Sequence, residues 1–195
     1  MDSVSYIETP RLMLLPGENS RDNIAFLQML KDDGDFRLFC GVNYSDQNLL
    51  KFDGYFEREF LYAIYRRDDL TELLGHIGLG QRNEGHYEVE FYIKRPERKK
   101  GYCTEALQAL CKTAFAGKLA TMNERNERET LILDKIYATT TAENLPTKKL
   151  LEKNGFFRPN TGAILTLMDY IDPETDAIYA NRIIEYVLEK PQIGG

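Results

Sequence analysis

The hydrophobic positions of this chain follow two spacings, and these spacings predict its strands and helices. Apolar side chains at every second position, or in short runs bounded by turn residues, are typical of strands. Strands are predicted on this basis over residues 6–15, 61–66, 72–81, 87–93, 133–140, 164–170 and 177–188. Asn83, Glu84 and Gly85 predict a hairpin turn before the strand at 87–93.

Apolar side chains three and four positions apart predict helices over residues 22–30, 46–60, 104–118 and 145–154. The pattern is clearest in 104–118, where the apolar side chains fall on one face. Residues 119–130 carry several charges, and they either extend that helix or form an insertion. Because strands and helices interleave along the sequence, we expect an α/β fold with a mixed sheet and a single domain over residues 1–195.

Composition narrows the class of protein. The chain has 195 residues, of which 43% are hydrophobic and 29% charged, as in soluble globular proteins. No apolar run approaches the length of about 20 residues that crosses a membrane, so no membrane segment is expected. The net charge of −6 argues against general affinity for nucleic acid. Cys40, Cys103 and Cys111 lack paired spacing, which predicts reduced thiols in the cytoplasm and no metal site.

A basic, glycine-containing segment joins the strand at 87–93 to the helix at 104–118. Residues 94–100 hold five basic side chains in seven positions, and Gly101 follows them. A strand, a glycine turn and a helix start together form a phosphate cradle, because backbone N–H groups and the positive end of the helix dipole point at the same anion. A solvated surface loop and a nucleic-acid patch are the alternative interpretations of the charge.

Three segments in this order resemble the GNAT superfamily of acetyl-CoA-dependent N-acetyltransferases, and more narrowly its RimJ/RimL-like branch, the ribosomal-protein alanine acetyltransferase type. They are Thr9-Pro10-Arg11-Leu12, Arg98-Lys99-Lys100-Gly101-Tyr102-Cys103, and the run from Asn144 to Phe156 with its Glu-Lys-Asn-Gly-Phe ending. The resemblance implies a mostly antiparallel sheet that is splayed between its fourth and fifth strands, with helices on both faces and acetyl-CoA wedged in the gap. It implies no metal.

The sequence departs from the family pattern at three positions. Cys103 replaces a glycine or alanine of the loop and is small enough to let the cofactor approach. Lys99 stands where this branch usually has glycine, which adds charge but restricts the backbone. Leu151 occupies the position where many relatives have a tyrosine that acts as general acid. The last departure keeps open an alternative function, a non-catalytic module that binds or senses acetyl-CoA.

The resemblance also implies a set of cofactor-binding residues and an activity. The backbone near Tyr92 and Ile93 would hold the pantetheine arm, and the loop and helix start would bind the pyrophosphate. The full predicted set is Tyr92, Ile93, Arg98, Lys99, Lys100, Gly101, Tyr102, Cys103, Thr104 and Asn144. The activity is transfer of an acetyl group to a primary amine by direct attack. The partner is therefore an amine, either a protein N-terminus or a small molecule, and the protein is a monomer or homodimer.

Two carboxylates compete for the role of general base. Glu88 and Glu90 are two positions apart on one strand, so both side chains lie on the same face. The resemblance favours Glu88, because this branch often has a glutamate there. His76 and His86 are alternative bases, or ordinary strand and surface residues. All four assignments compete with a purely structural role.

Two polar residues at the start of the last helix complete the predicted site. Thr147 matches a family serine whose hydroxyl can serve the departing thiolate, and Asn144 matches a residue that contacts the cofactor arm. Both could instead be ordinary polar residues of a helix N-terminus. Residues 33–60 are rich in carboxylates that could attract a cationic acceptor or simply face solvent.

Overall fold

The computed structural model describes residues 6–17, 19–33, 55–122, 128–159, 167–171 and 178–191. Within them the strands are β1 (Ile7–Glu8), β2 (Leu12–Pro16), β3 (Leu61–Arg66), β4 (Asp69–Asn83), β5 (His86–Ile93), β6 (Ala120–Met122), β7 (Arg128–Thr130), β8 (Lys135–Thr141), β9 (Leu167–Ile171) and β10 (Ile178–Glu189). The described helices are α1 (Ile24–Asp32), α2 (Tyr102–Phe115) and α3 (Leu145–Lys153). Short turns of 3-10 helix cover Tyr55–Glu57 and Arg95–Glu97, and a π-helical turn covers Asn19–Asn23.

In the described part of the chain, eight strands form one sheet in the order β1-β2-β3-β4-β5-β8-β10-β9, and β6 pairs with β7 separately. Among the described residues, β5 and β8 are the parallel neighbours, and their register consists of the single pair Glu88 and Tyr137. The other neighbouring strands of the sheet pair antiparallel. When β1 and β2 are counted as one strand and the β6–β7 pair is left out, β5 and β8 are the fourth and fifth strands. The predicted splayed sheet is therefore confirmed.

Helices cover both faces of the sheet, as predicted. Alternation along β5 shows the division, since Val89 and Ile93 point to one face while Tyr92 points to the other. On the first face, apolar side chains of α2 and α3 such as Leu107 and Leu151 complete the larger core. On the second face, the buried side of α1 completes a smaller core with aromatic residues from β3, β5 and the Tyr55–Glu57 turn.

The strand predicted over residues 6–15 is wrong in one respect, because it divides into β1 and β2. Pro10 has no N–H for a strand ladder, and Thr9 closes a turn around it. The Thr9 backbone N–H donates to the Leu12 carbonyl at 2.9 Å, and the Leu12 N–H donates to the Thr9 hydroxyl at 2.8 Å. These bonds reverse the chain direction at the run Glu8-Thr9-Pro10-Arg11, which separates the apolar residues of the predicted strand.

Two other predictions in loop regions meet different outcomes. Residues 119–130 do not extend the preceding helix, because β6 and β7 lie there and pair with each other. The helix predicted over 46–60 lies mainly outside the described residues, and its described end is a single 3-10 turn. The helices predicted at 22–30, 104–118 and 145–154 and the remaining strands are confirmed within the described residues, with shifts of a few residues at their ends. The first residues of two predicted strands, 164–166 and 177, lie outside the described residues.

Candidate active site

The predicted phosphate cradle lies where β5 ends and α2 begins. Gly101 has φ of 85°, a left-handed conformation that favours glycine, and α2 starts at the next residue. The first helical hydrogen bond runs from the Glu105 N–H to the Gly101 carbonyl at 3.0 Å. The N–H groups of Tyr102, Cys103 and Thr104 therefore have no acceptor within the helix. Together with the helix dipole they form a site suited to an anion.

Lys99 also adopts a left-handed backbone, with φ of 63°. This conformation is unfavourable for a residue with a β-carbon, at a cost of roughly 1–2 kcal/mol. The finding gives a physical reason for the glycine at this position in the family that the sequence resembles. The Lys99 side chain is exposed at the outer side of the turn. Its predicted contact with phosphate stays a prediction.

The basic side chains of the loop are largely neutralised by carboxylates. Lys94 pairs with Glu72, and Lys100 pairs with Glu97 at 3.0 Å. This arrangement leaves much less free positive charge than the sequence suggests, and it weakens the interpretation of residues 94–100 as a nucleic-acid patch. The predicted binding of an anion here would therefore depend first on the backbone N–H groups of the turn.

Arg98 faces the sheet. Its Nε donates to the Ile93 carbonyl at 2.7 Å, and its guanidinium lies 5.1 Å from the centre of the Tyr92 ring. A second contact joins it to Asp33 at 3.8 Å. In this position Arg98 braces the loop against the end of β5. A direct contact between Arg98 and the pyrophosphate stays a prediction and requires the side chain to turn.

Asp33 is a part of the site whose structural role the sequence did not reveal. It caps the end of α1, is 8% exposed, and accepts hydrogen bonds from the Tyr92 hydroxyl at 2.8 Å and the Arg95 backbone N–H at 2.6 Å. A carboxylate from the second face thus holds the start of the loop at residues 94–101, which we call the cradle loop. In the sequence, Asp33 stands out only as one carboxylate of the acidic region at residues 33–60.

The edge of β5 that faces β8 is open toward the cradle. Within the described residues, the register of these two strands stops at the pair of Glu88 with Tyr137. Beyond that pair, β5 and β8 share no further register in the described part of the chain, so the two strands diverge toward the cradle. An extended ligand arm could pair there in the manner of a strand, as predicted for Tyr92 and Ile93, although Arg98 occupies the Ile93 carbonyl.

Glu88 and Glu90 lie on the second face, but their surroundings differ. Glu88 is buried at the closed end of the gap, accepts a hydrogen bond from the Thr139 hydroxyl, and pairs with Arg82. The Glu90 side chain is 31% exposed and pairs with Arg58. Proximity to β8 favours Glu88 as the base, whereas accessibility favours Glu90. The choice between them stays a prediction.

The two histidines occupy different positions. His76 is fully buried on β4, and its Nε2 is 3.0 Å from the Tyr55 hydroxyl. Burial, and to a smaller extent the charge of Arg58, lower the pKa of His76 from 6.5 to about 3. Such an imidazole stays neutral and binds a proton too weakly to act as a base near pH 7. His86 begins β5 and stacks on Tyr137 with the ring centres 3.8 Å apart.

The start of α3 combines the capping and functional alternatives. The Asn144 side chain accepts a hydrogen bond from the Thr147 backbone N–H at 3.2 Å, so Asn144 caps the helix. Within the described residues, the Thr147 hydroxyl has no hydrogen-bond partner and remains available to a ligand. Position 151 carries a leucine that is buried in the larger core, so it supplies no general acid. The cofactor role of Asn144 and the catalytic role of Thr147 stay predictions.

The two described cysteines are unreactive thiols. Burial raises the pKa of Cys103 and of Cys111 to about 12, so both stay protonated at neutral pH. Cys40 lies outside the described residues.

In the part of the chain that the structure describes, no group of three or more His, Cys, Asp and Glu side chains is placed to hold a metal ion. No helix of that part is long and apolar enough to cross a membrane.

Comparison with known proteins identifies the family. Residues 11–157 match the model of the acetyltransferase (GNAT) domain. The uncharacterized N-acetyltransferase YjdG from Bacillus subtilis (strain 168) is 30% identical over 156 residues, which cover 77% of this chain and 84% of the relative. The chain therefore belongs to the GNAT acetyltransferase family.

Solved structures support the same fold. An acetyltransferase of the GNAT family from Bacillus anthracis superposes with a TM-score of 0.69 at 20% identity, covering 95% of this chain and 98% of that one. RimL, a ribosomal L7/L12 alpha-N-protein acetyltransferase in complex with coenzyme A, superposes with a TM-score of 0.65 at 13% identity, covering 94% and 97%. At these identities the superpositions show the fold, and the RimJ/RimL-like branch stays a prediction.

Proposed function

We propose that this protein is an acetyl-CoA-dependent N-acetyltransferase that transfers the acetyl group to a primary amine, a protein N-terminus or a small molecule, by direct attack. One observation carries the proposal. A left-handed glycine, Gly101, opens α2 beside the edge of β5 that diverges from β8, so that an anion site and an extended groove adjoin each other. This combination suits a ligand with a pyrophosphate and a long linear arm, which is the chemistry of coenzyme A.

In this proposal the cofactor is held mainly by backbone groups. The N–H groups of Gly101 to Thr104 bind the pyrophosphate, and the open edge of β5 near Tyr92 and Ile93 binds the arm. Lys99 and Lys100 add positive charge, and Asn144 contacts the arm from α3. Acetyl-CoA supplies an activated acetyl group as a thioester, and transfer forms an N–C bond as the C–S bond breaks.

The base that removes a proton from the amine is Glu88, with Glu90 as the alternative. Since the Glu88 carboxylate is nearly buried, it acts through a water molecule at the gap. The required strength of the base depends on the acceptor. An α-amine with a pKa near 8 is about one-tenth neutral at pH 7, whereas a lysine costs roughly 4–5 kcal/mol to deprotonate there. A weak, water-mediated base is therefore sufficient for a protein N-terminus.

The departing thiolate is stabilised by the Thr147 hydroxyl. Its availability supports this role, because Asn144 already satisfies the Thr147 backbone N–H and leaves the side chain uncommitted. No tyrosine stands at position 151, so the proton that the thiolate takes up comes from water, either directly or relayed through the Thr147 hydroxyl, which regains a proton from water in the same step. The reaction as proposed needs no metal and takes place in the cytoplasm, in a protein that is a monomer or homodimer.

The alternative function is a module that binds acetyl-CoA without turnover, and the buried Leu151 at the tyrosine position favours it. One experiment separates the two functions. Acetyl-CoA consumption and acetylated product are measured with a panel of N-terminal peptides, polyamines and amino sugars, using Gly101→Val as the matched control. The peptides belong in this panel because the fold is similar to that of RimL. Tight binding of acetyl-CoA with no product from any amine would favour the sensing module, and absence of binding would reject both functions.

A further inference from the structure

The Arg11 side chain, at the turn before β2, reaches across to the first turn of α2. Its Nε donates to the Glu105 Oε2 atom at 2.7 Å, and its backbone N–H donates to Oε1 at 2.9 Å. The Thr9 hydroxyl donates to the same Oε1 atom at 2.6 Å. Burial alone would raise the pKa of Glu105, but the hydrogen bonds from Thr9 and Arg11 outweigh it and lower that pKa. The carboxylate is therefore charged and fully engaged at neutral pH.

The same guanidinium also contacts the cradle turn. Its Nη1 donates to the Lys100 carbonyl at 2.9 Å, and its carbon lies 4.8 Å from the centre of the Tyr102 ring. A β-carbon added at Gly101 would lie 3.2 Å from Nη2, so the turn packs directly against this arginine. Arg11 thus touches three consecutive residues of the turn, while Glu105 fixes the direction of its fork.

These contacts determine the orientation of a peptide group that would bind the ligand. The Lys100 carbonyl and the Gly101 N–H belong to one planar trans peptide, in which they point in opposite directions. By holding the carbonyl from the side of β2, Arg11 directs the Gly101 N–H away from itself and toward the opposite side of the turn. A left-handed turn that contains both Lys99 and Gly101 has several alternative conformations, so an external constraint of this kind is effective.

We propose that Arg11 and Glu105 form a positioning pair that holds the phosphate cradle in its binding conformation before acetyl-CoA arrives. The inference rests on the proposed function. Arginine suits the role because its planar fork can bind a carboxylate and a carbonyl at once, which a lysine ammonium cannot do with the same geometry. Arg11 acts through the backbone of the turn and does not touch the reacting atoms. This role requires no contact between Arg11 and the phosphates.

The test measures acetyl-CoA affinity by calorimetric titration for the wild type, Arg11→Gln, Arg11→Lys, Glu105→Gln and the double variant Arg11→Gln/Glu105→Gln. Arg67→Gln is the matched control, because Arg67 forms an exposed ion pair with Glu8 at 2.9 Å in the same region. We expect at least tenfold weaker binding for each single variant, including Arg11→Lys. The affinity of the double variant for acetyl-CoA should be no more than twofold lower than that of the weaker-binding single variant. The affinity of Arg67→Gln should equal that of the wild type.

Steady-state kinetics separate positioning from general damage. The KM for acetyl-CoA should rise at least tenfold in Arg11→Lys, while kcat and the KM for the acceptor stay within twofold. Wild-type affinity in Arg11→Lys would overturn the positioning role, since charge alone would then suffice. If Arg11→Gln does not fold, Arg11→Lys and Glu105→Gln still decide the question. A wild type that does not bind acetyl-CoA would overturn the proposed function and this inference together, whereas a binding wild type with unaffected variants would overturn the inference alone.

Discussion

Lowering the pH from 7 to 5 should destabilise this protein through His76. The imidazole has no exposed surface and is surrounded by aromatic rings, with the Phe26 ring centre 4.7 Å away and the Tyr92 ring nearly parallel to it at 6.5 Å. Burial, and then the charge of Arg58, lower the pKa of His76 to about 3. In the unfolded chain the same group has its ordinary pKa of about 6.5.

The sign and size follow from the difference between these two values. Above pH 6.5 both states hold neutral His76, and the group costs no stability. Between pH 6.5 and 3 the unfolded chain binds a proton that the folded protein does not, so the free energy of unfolding falls as the pH falls. At 1.36 kcal/mol per pH unit, the loss between pH 7 and 5 is about 2 kcal/mol. For a chain of this length, such a loss lowers the Tm by roughly 4–8 °C.

Urea unfolding of the wild type and His76→Gln at pH 7, 6 and 5 isolates this contribution, because all other titrating groups are common to both proteins. Glutamine does not titrate and can still bond to the Tyr55 hydroxyl. The wild type should lose about 2 kcal/mol more than His76→Gln between pH 7 and 5. Tyr55→Phe is the control, because it removes the hydrogen bond of 3.0 Å but keeps the buried imidazole and hence the pH dependence. Equal losses in wild type and His76→Gln would refute the argument.

Three substitutions test the site itself. Gly101→Val should weaken acetyl-CoA binding at least tenfold in a folded protein, measured by calorimetry, because the left-handed turn excludes a β-branched side chain. Glu88→Gln should lower turnover by up to 10²–10⁴ with near-normal acetyl-CoA affinity, and a slower Glu90→Gln at pH 7 would assign the base to Glu90. Thr147→Ala should lower the single-turnover rate, whereas a loss of roughly 0.5–2 kcal/mol in stability with full activity would indicate a capping role only.

The parts of the fold that the sequence predicted well are those in which burial repeats with a local period. The helices α2 and α3 are of this kind, because each presents an apolar face to the larger core. The strand at 61–66 was found instead as a short apolar run, and its alternate residues are buried in the two cores. The β6–β7 pair has few apolar positions and much charge, so its pattern resembled a helix extension or an insertion. The division into β1 and β2 depends on a turn closed by Thr9 within residues 8–11, and the weak alternation on both sides of that turn predicted a single strand.

The cradle could be found from the sequence, whereas its supports could not. A strand, basic residues, a glycine and a helix are contiguous, so their chemistry can be inferred from neighbouring positions. Arg11 and Glu105 are separated by 94 residues, and Asp33 and Tyr92 by 59. No spacing rule connects residues so far apart in the sequence, although each of them lies beside a predicted motif or element. The contacts of Arg98 with Ile93 and Asp33 could not be predicted either, because the sequence does not indicate in which direction a basic side chain of a loop points.

The cradle loop is held from both faces of the sheet. Asp33, at the end of α1, binds the Arg95 N–H and the Tyr92 hydroxyl on the second face, while Arg11 holds the Lys100 carbonyl on the face of α2. Each constraint fixes a different end of the loop, so the N-terminus of α2 is oriented before any ligand binds. Binding then loses less conformational entropy than it would with a free glycine-containing turn. Because α1 also covers the face that carries Glu88 and Glu90, the same contacts connect the loop at residues 94–101 to the face of the two proposed bases.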